Sequence, residues 1–444
     1  MQEVDLAAVR IAIVGTGYVG LTTGACLAHI GGNVVCADVD AAKVARLRAG
    51  EIPIVEAGLD EVVHDAVAAG RLEFVVGAAT GAEGADFVFL CVPTPQDDDG
   101  SADLSYLAAA AAEIGPVLKA GATVINKSTV PVGSTSVVER VLQRPDVSVV
   151  SNPEFLREGT AVHDFLNPDR VVIGCDDTTA AERVAALYAP LDAKVVVTDA
   201  ASAETIKYAA NGFLAMKISF ANAVAAMCEA VGANIDAVMN GIGSDARIGP
   251  AFLRPGPGWG GSCFPKDSRA LVAIASQHGY DFSMMRGVIS VNDEQHERMV
   301  RKVAAAAGRG VAGYHPLEGV RVGALGFTFK AGTDDLRESP ALAILRRLAA
   351  LGATVTGFDP TTAGGLDDVQ AARLAGFGVA PDALGALADA DVAVVLTEWP
   401  EFAALDPDKM LSVMRGTALV DTRNLFDPAV MRAAGFTYDS VGRQ

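Results

Sequence analysis

Short, nearly continuous apolar runs recur through residues 1–201: VRIAIVG, NVVCADVD, FVFLCVP, TVINKSTV, VSVVSNP, RVVIGC and KVVVTD, separated by Ala-rich amphipathic stretches. Runs without polar alternation predict strands buried on both faces, as in a parallel sheet covered by helices. From Ser202 to about Gly232 the text becomes one helical stretch with apolar residues on almost every face. Such a helix is too apolar for a simple surface position, which predicts both the core of a middle domain and a subunit interface. After Tyr314 the strand text resumes with VRVGALGFTFK, GATVTGFDP, VAVVLTEW and TALVDTRN. The opening VRIAIVGTG with GGNVVCADVD resembles VRVGALGFT with GATVTGFDP. The expected fold is therefore α/β: two Rossmann-like, doubly wound parallel-sheet domains, 1–201 and 313–444, joined by a central helical domain, 202–312.

Composition narrows the partners. The 444 residues carry a formal charge of -19, which argues against a nucleic-acid partner, since that would require a basic face. An anionic ligand must meet locally placed Lys, Arg or helix N-termini. The first residues, MQEVDLAAVRIAIVGTG, lack the basic start and apolar stretch of a signal peptide. No apolar run reaches the ~20 residues that span a bilayer, so the expectation is a cytoplasmic protein with no membrane partner. Cys26, Cys36, Cys91, Cys175, Cys228 and Cys263 show neither CxxC pairs nor His at metal spacing. No metal site is expected, and the first five read as small buried hydrophobes.

Gly15-x-Gly17-x-x-Gly20 follows the strand IAIV and opens a helix, and Asp38 closes the next strand. Glycines at this spacing allow a tight turn and let backbone approach a pyrophosphate lying on the helix N-terminus, while the acid accepts from a ribose hydroxyl. Val14, Tyr18 and Val19 complete the cofactor loop. A carboxylate at Asp38 repels a 2′-phosphate, so NAD is preferred to NADP. Lys43 reads either as a ribose or phosphate contact or as a solvated helix residue. Thr94 and Thr129 fall at strand C-terminal ends, where open α/β sheets bind ligands.

The segment PGPGWGGSCFPKD, 255–267, is too rich in glycine and proline to be helical before Cys263. Lys266 and Asp267 place a cation and a carboxylate near the thiol, and a neighbouring cation favours the nucleophilic thiolate. By residue type, Cys263 is either a reactive thiol or an incidental loop cysteine. Lys207 and Asn211, four apart, share a helix face; unaided, they read as a surface charge and a cap or kink.

The GYVG form of the glycine loop, CVPTP, KSTVPVGS, SNPEFLREGTA, IKYAANGFLAMKISFAN, GWGGSCFPKD, FKAGTDDLRESP and DTRNLFDP occur in one order over almost the whole chain. In this the sequence resembles the UDP-glucose/GDP-mannose dehydrogenase family. The resemblance implies two successive hydride transfers to NAD from the sixth carbon of a nucleotide sugar, with Cys263 holding first a thiohemiacetal and then a thioester. It makes Lys207 and Asn211 stabilisers of the substrate oxyanion, Asp267 and Thr129 the holders of a proton-accepting water, and Glu154 the base for thioester hydrolysis. Glu158 would approach both substrate and nicotinamide, and Lys266 and Arg337 would contact the cofactor. The implied sugar pocket comprises Glu154, Phe155, Leu156, Arg157, Glu158, Lys207, Asn211, Phe252, Leu253, Arg254, Pro255, Gly256, Gly260, Phe329, Lys330 and Arg423. Arg247 would reach the substrate of the other subunit in a homodimer.

Motif likeness points to UDP-glucose through CVPTPQ, GWGGSCFPKD and NLFDP, whereas FKAGTDDLRESP reads more like the GDP-mannose branch. Thr422 stands where the UDP-glucose pattern has glycine. The alternatives are a GDP-mannose or UDP-N-acetylmannosamine enzyme. More distant are a single-step hydroxyacid dehydrogenase, which needs no thiol, and a scaffold that binds nucleotides without chemistry.

Overall fold

The structure, a computed structural model, describes residues 5–96 and 102–443. Its Cα framework divides into two compact units. One comprises Met1–Ala210 with Arg269–Gly279, and the other Asn211–Ser268 with Tyr280–Gln444.

In the first unit, β1 (Arg10–Val14), β2 (Asn33–Asp38), β3 (Leu72–Val76), β4 (Phe87–Leu90), β5 (Thr123–Asn126), β6 (Ser148–Ser151), β7 (Val171–Gly174) and β8 (Val195–Thr198) form one sheet. Its order is β3-β2-β1-β4-β5-β6-β7-β8. The unbroken apolar text has a direct cause: Ile11, Ile13, Phe87 and Phe89 feed the core on one face, and Ala12, Val14, Val88 and Leu90 the core on the other. Strand pairing is parallel except between β6 and β7, which meet antiparallel at Ser151 and Gly174. That step departs from the all-parallel expectation.

In the second unit, β9 (Arg321–Leu325), β10 (Thr354–Phe358), β11 (Gly378–Val379), β12 (Val392–Val395), β13 (Ala418–Asp421) and β14 (Thr437–Ser440) pair in the order β11-β10-β9-β12-β13-β14. This is the six-strand order of a dinucleotide-binding sheet, repeated from the first unit. Again alternate residues serve two cores, with Val392 and Val394 on one and Ala393 and Val395 on the other.

Beside this sheet the second unit holds helices Ile235–Gly243 and Ser283–Ala306 and most of the long helix Ala200–Val231. Ala221, Ala225 and Cys228 of the long helix enter a core shared with Met299 and Val303. Phe213, Phe220 and Met227, seven residues apart, are exposed, as is Val231 four residues further on. By length and composition this helix could cross a membrane, against the expectation that no run qualifies. It also carries Glu204, Lys207, Asn211 and Asn222 as buried polar side chains, each suited to a protein interior and not to lipid.

Candidate active site

The turn from β1 into helix Tyr18–His29 is shaped by glycine at two points. Gly15 has φ +96°, and a Cβ there would lie 2.6 Å from the Cys91 carbonyl oxygen, while a Cβ on Gly20 would lie 1.9 Å from the Gly15 oxygen. A Cβ on Gly17, by contrast, would meet nothing within 4 Å. The helix starts at Gly17 without a side-chain cap and without acids in its first turn, so its positive end is left to an anion. At the tip of β2, Asp38 accepts from the Thr16 amide (2.9 Å) and hydroxyl (2.6 Å) and pairs with Lys43 at 3.3 Å. Burial alone would raise its pKa; the Thr16 and Asp40 donors and the Lys43 ammonium outweigh that and hold it at about 2. The open middle glycine, the uncapped helix and a standing carboxylate fit a dinucleotide with a free ribose 2′-hydroxyl. Val14 and Gly20 are buried, and Tyr18 and Val19 partly so. The hydroxyl of Thr94 donates to the Thr129 carbonyl at 2.9 Å, joining the loops after β4 and β5.

Beyond β6, the chain turns through Asn152–Pro153 and delivers Glu154 into the interior of the first unit. Its Oε1 lies 2.7 Å from Lys207 Nζ, with both side chains about 5 % exposed. Its Oε2 accepts from the Leu156 amide at 2.6 Å. Burial pushes the Glu154 carboxyl up, but the Lys207 ammonium beside it and the Leu156 amide bring it below the usual range, so it stands as an anion. Lys207 also lies 5.4 Å from the centre of the Phe155 ring, whose face Arg170 covers at 3.5 Å. Arg157 makes a two-point contact with Asp164 and is mostly exposed. Glu158 is partly buried in the same loop.

In the second unit, Cys263 is partly buried and directly precedes helix Phe264–Gln277. The first turn closes through the Asp267 amide donating to the Cys263 carbonyl at 2.9 Å. The sulfur thus stands at the positive end of a helix, which stabilises negative charge on it. Asp267 is fully buried; its Oδ2 accepts from Asn211 Nδ2 at 2.6 Å and its Oδ1 pairs with Lys266 at 2.6 Å. The loop before the cysteine is tightly held: a Cβ on Gly260 would meet the Glu338 carbonyl oxygen at 2.1 Å, and one on Gly261 the Phe329 ring at 2.9 Å. Arg423 donates to the carbonyls of Leu396 (2.8 Å) and Phe329 (2.6 Å) and pairs with Glu398. A Cβ on Gly256 would lie 3.7 Å from Arg423 Nη1. Pro255, Gly256 and Gly260 are buried, Arg254 is exposed, and Lys330 lies 5.4 Å from the centre of the Phe329 ring. Phe252 adopts a left-handed φ of 63° and meets Phe264 at 6.2 Å between ring centres. Leu253 belongs to the apolar core, so of that residue only backbone is suited to a ligand. Arg247 is 89 % exposed and pairs with Asp245, and Arg337 pairs with Asp335.

The chain matches all three domains of the UDP-glucose/GDP-mannose dehydrogenase family: the NAD binding domain over 9–192, the central domain over 201–294 and the UDP binding domain over 323–428. It is 46 % identical to a UDP-glucose 6-dehydrogenase of Rhizobium meliloti (strain 1021), covering 98 % of this chain and 99 % of that one. It is 42 % identical to UDP-glucose 6-dehydrogenase TuaD of Bacillus subtilis (strain 168), covering 98 % and 93 %. Among solved structures it resembles a UDP-glucose dehydrogenase from Pyrobaculum islandicum, with a TM-score of 0.89 and 36 % identity over 98 % of each chain. The chain belongs to the UDP-glucose/GDP-mannose dehydrogenase family. As a member of this family, with its NAD binding domain, it is an NAD-dependent dehydrogenase.

Two features of this dehydrogenase escaped the motif reading. Lys127, directly after β5, is buried and meets two neutral partners, Asn152 Oδ1 at 3.1 Å and the Tyr188 hydroxyl at 3.3 Å. Burial drives its pKa down to about 8. Its position inside the strand text TVINKSTV was the available signal. Glu56, also buried, accepts from the Gly159 (2.6 Å) and Ala161 (2.8 Å) amides and from the Tyr18 hydroxyl, tying the Glu154–Glu158 loop to the glycine loop. Nothing local in the sequence announces that tie. Thr422, the departure from glycine, is fully buried and turns its hydroxyl onto the Val395 carbonyl at 2.6 Å.

Proposed function

We propose that the chain oxidises the C6 alcohol of UDP-glucose to the carboxylate of UDP-glucuronate in two successive two-electron steps on Cys263. The observation that carries this reading is a thiol at a helix N-terminus, with the buried Asp267 of the same first turn fixed between Asn211 and Lys266. NAD, when bound at the Gly15–Gly20 loop and Asp38, supplies the two-electron acceptor for each step.

In the first step the alcohol proton passes to a water held by Asp267 and Thr129, and the C6 hydrogen leaves with its electron pair, giving an aldehyde. Lys207 and Asn211, one turn apart on one helix, stabilise the charge on the oxygen. The Cys263 sulfur then adds to the carbonyl carbon: an S–C bond forms, and the carbonyl π pair becomes an oxyanion that takes a proton. Loss of the hydroxyl proton to solvent and of the second C6 hydrogen with its electron pair leaves a thioester. Water adds to it, Glu154 accepts the proton, the C–S bond breaks, and the thiolate is regenerated with release of the carboxylate. A covalent anchor keeps the aldehyde from escaping between steps.

The sugar contacts follow the expected positions in the Glu154–Glu158, Phe252–Gly256 and Phe329–Lys330 segments, with Gly260 and Arg423. Arg337 and Lys266 serve the cofactor, and the functional parts are 1–201, 202–312 and 313–444. A homodimer covers the apolar stripe of Phe213, Phe220, Met227 and Val231, and brings Arg247 to the partner's substrate. Use of NAD and six free cysteines agree with work in the cytoplasm. The FKAGTDDLRESP segment supports GDP-mannose as the second reading.

NADH formation is measured with UDP-glucose, GDP-mannose and UDP-N-acetylmannosamine. UDP-glucose is expected to give two NADH per sugar, and Cys263→Ser to form no acid. Turnover of another sugar alone would replace the substrate, and a Cys263→Ser enzyme still making acid at the parental rate would remove the covalent route.

A further inference from the structure

The backbone between Pro255 and Gly261 is irregular and buried, so its amides and carbonyls need partners that no regular ladder supplies. The partners are side chains from two helices of the same unit. Asn222 of the long helix accepts from the Gly256 amide at 2.8 Å, and Gln295 of helix Ser283–Ala306 donates to the Gly256 carbonyl at 2.7 Å. Asn292, one turn earlier, holds Trp259 at both ends of its backbone: Oδ1 accepts from the amide at 2.8 Å and Nδ2 donates to the carbonyl at 3.1 Å. The Trp259 indole donates to Ser219 Oγ at 2.9 Å, which in turn donates to the Val288 carbonyl at 2.9 Å.

Val288, Asn292, Gln295 and His296 lie on one helix face, and Asn222, Asn292 and Gln295 are each at most 5 % exposed. The fit leaves no slack. At Gly258 a Cβ would meet His296 Nε2 at 2.6 Å and Asn292 Oδ1 at 2.9 Å. His296 Nε2 is itself buried without a hydrogen-bond partner, and burial lowers its pKa to about 4, so no charge develops under the loop at neutral pH. The glycines that follow abut Glu338 and Phe329, and Ser262 alone separates them from Cys263.

We infer that Asn292 and Gln295, with Asn222, are positioning residues for the nucleophile: they fix the Gly256–Trp259 backbone so that the Cys263 sulfur meets the C6 carbonyl carbon as soon as the first hydride has left. The inference rests on the covalent reading above. Capture of the aldehyde requires the reacting atoms in near-contact, so a loosened loop slows S–C bond formation and lets the aldehyde diffuse away.

The test uses the full-length enzyme with UDP-glucose and NAD. Asn292→Ala and, as a second variant, Asn222→Ala are checked for folding by thermal denaturation. Then kcat, both KM values, NADH per sugar and aldehyde trapped by semicarbazide are measured. The expected result is a kcat lower by about 10- to 100-fold with KM values within about 2-fold of the parent. NADH per sugar falls from two towards one, with aldehyde accumulating as the semicarbazone. A merely structural role would lower all activity in proportion to folded protein and leave the stoichiometry at two; that result, or parental kcat in both folded variants, overturns the inference. Failure of the parent itself to make two NADH per sugar would instead strike the covalent reading, so the two failures are distinguishable.

Discussion

Six strands run in the same order in both sheets and a glycine turn follows each first strand, yet the acids at the second strands are used differently. Asp38 ends β2, keeps 13 % of its side chain exposed and reaches Lys43. Asp359, directly after β10, is fully buried. It accepts from the amides of Phe327 (2.7 Å), Thr328 (3.0 Å) and Thr361 (3.1 Å), from both threonine hydroxyls, and from the Trp399 indole at 3.2 Å. The turn glycines match as well, Gly15 at φ +96° and Gly326 at φ +103°. Their followers do not. Where the first loop has Gly17 beside open space, the second has Thr328, with the Phe327 ring lying 2.6 Å from where a Cβ on Gly357 would be. The helices differ too: Tyr18–His29 starts uncapped, whereas Pro340–Ala350 starts on Ser339, whose hydroxyl accepts from the Leu342 amide. Asp38 also accepts from Thr16 and Asp40 and pairs with Lys43, but part of it stays exposed and open to a ribose, whereas the fully buried Asp359 is a structural clamp.

The sharpest way to break that contrast is to remove each acid. Asp359→Ala strands several buried donors and is expected to lower unfolding free energy by about 3–5 kcal/mol, read by denaturant or thermal melts. Asp38→Ala should change stability far less but raise the NAD KM about 10-fold or more and erase discrimination against NADP, since it removes a charge-assisted ribose contact. If the two substitutions had the same profile, the division between ligand acid and clamp would be lost.

Acid separates the regions next. His296 belongs to the second unit and its pKa falls from 6.5 to about 4 on burial. The unfolded chain binds this proton more readily, so the stability is complete above pH 6.5 and lost as pH falls towards 4. The loss is on the order of 3 kcal/mol. Asp38, held at about 2, contributes stability above its ordinary 3.8 that is lost only as pH falls through 2. The unfolding free energy should fall as pH is lowered from 7 to 4, and a His296→Gln variant should flatten that slope. The smallest effect is expected at the helix starts: Ser339→Ala costs about 1 kcal/mol. Gly17→Ser adds a cap but competes with the anion, so NAD affinity should drop while the melting temperature of the free protein holds or rises.

The strands were legible because residues buried on both faces leave unbroken apolar text, and the long helix because its composition changes abruptly at Ser202. The glycine loop, Asp38 and the cysteine segment were legible because their chemistry is local in sequence. The Glu154–Lys207 pair needed the family resemblance, since 53 residues separate its members. Asn222, Asn292 and Gln295 were not legible: polar residues at helical spacing read as a solvated face, and only the tertiary fold shows a buried loop against them. Asp359 likewise looks like Asp38 in text; Thr361 supplies two of its donors locally, but the other four, from Phe327, Thr328 and Trp399, are brought in from 31 to 40 residues away.

The uncapped start of helix Tyr18–His29 has a thermodynamic consequence. An anion bound there takes hydrogen bonds from its first amides in the native state alone, so binding and folding of the first unit are linked equilibria. At a concentration one hundred times its dissociation constant, a ligand confined to the native state adds about 2.7 kcal/mol to unfolding free energy. Cofactor supply thus shifts the unfolding midpoint of this protein as well as its turnover.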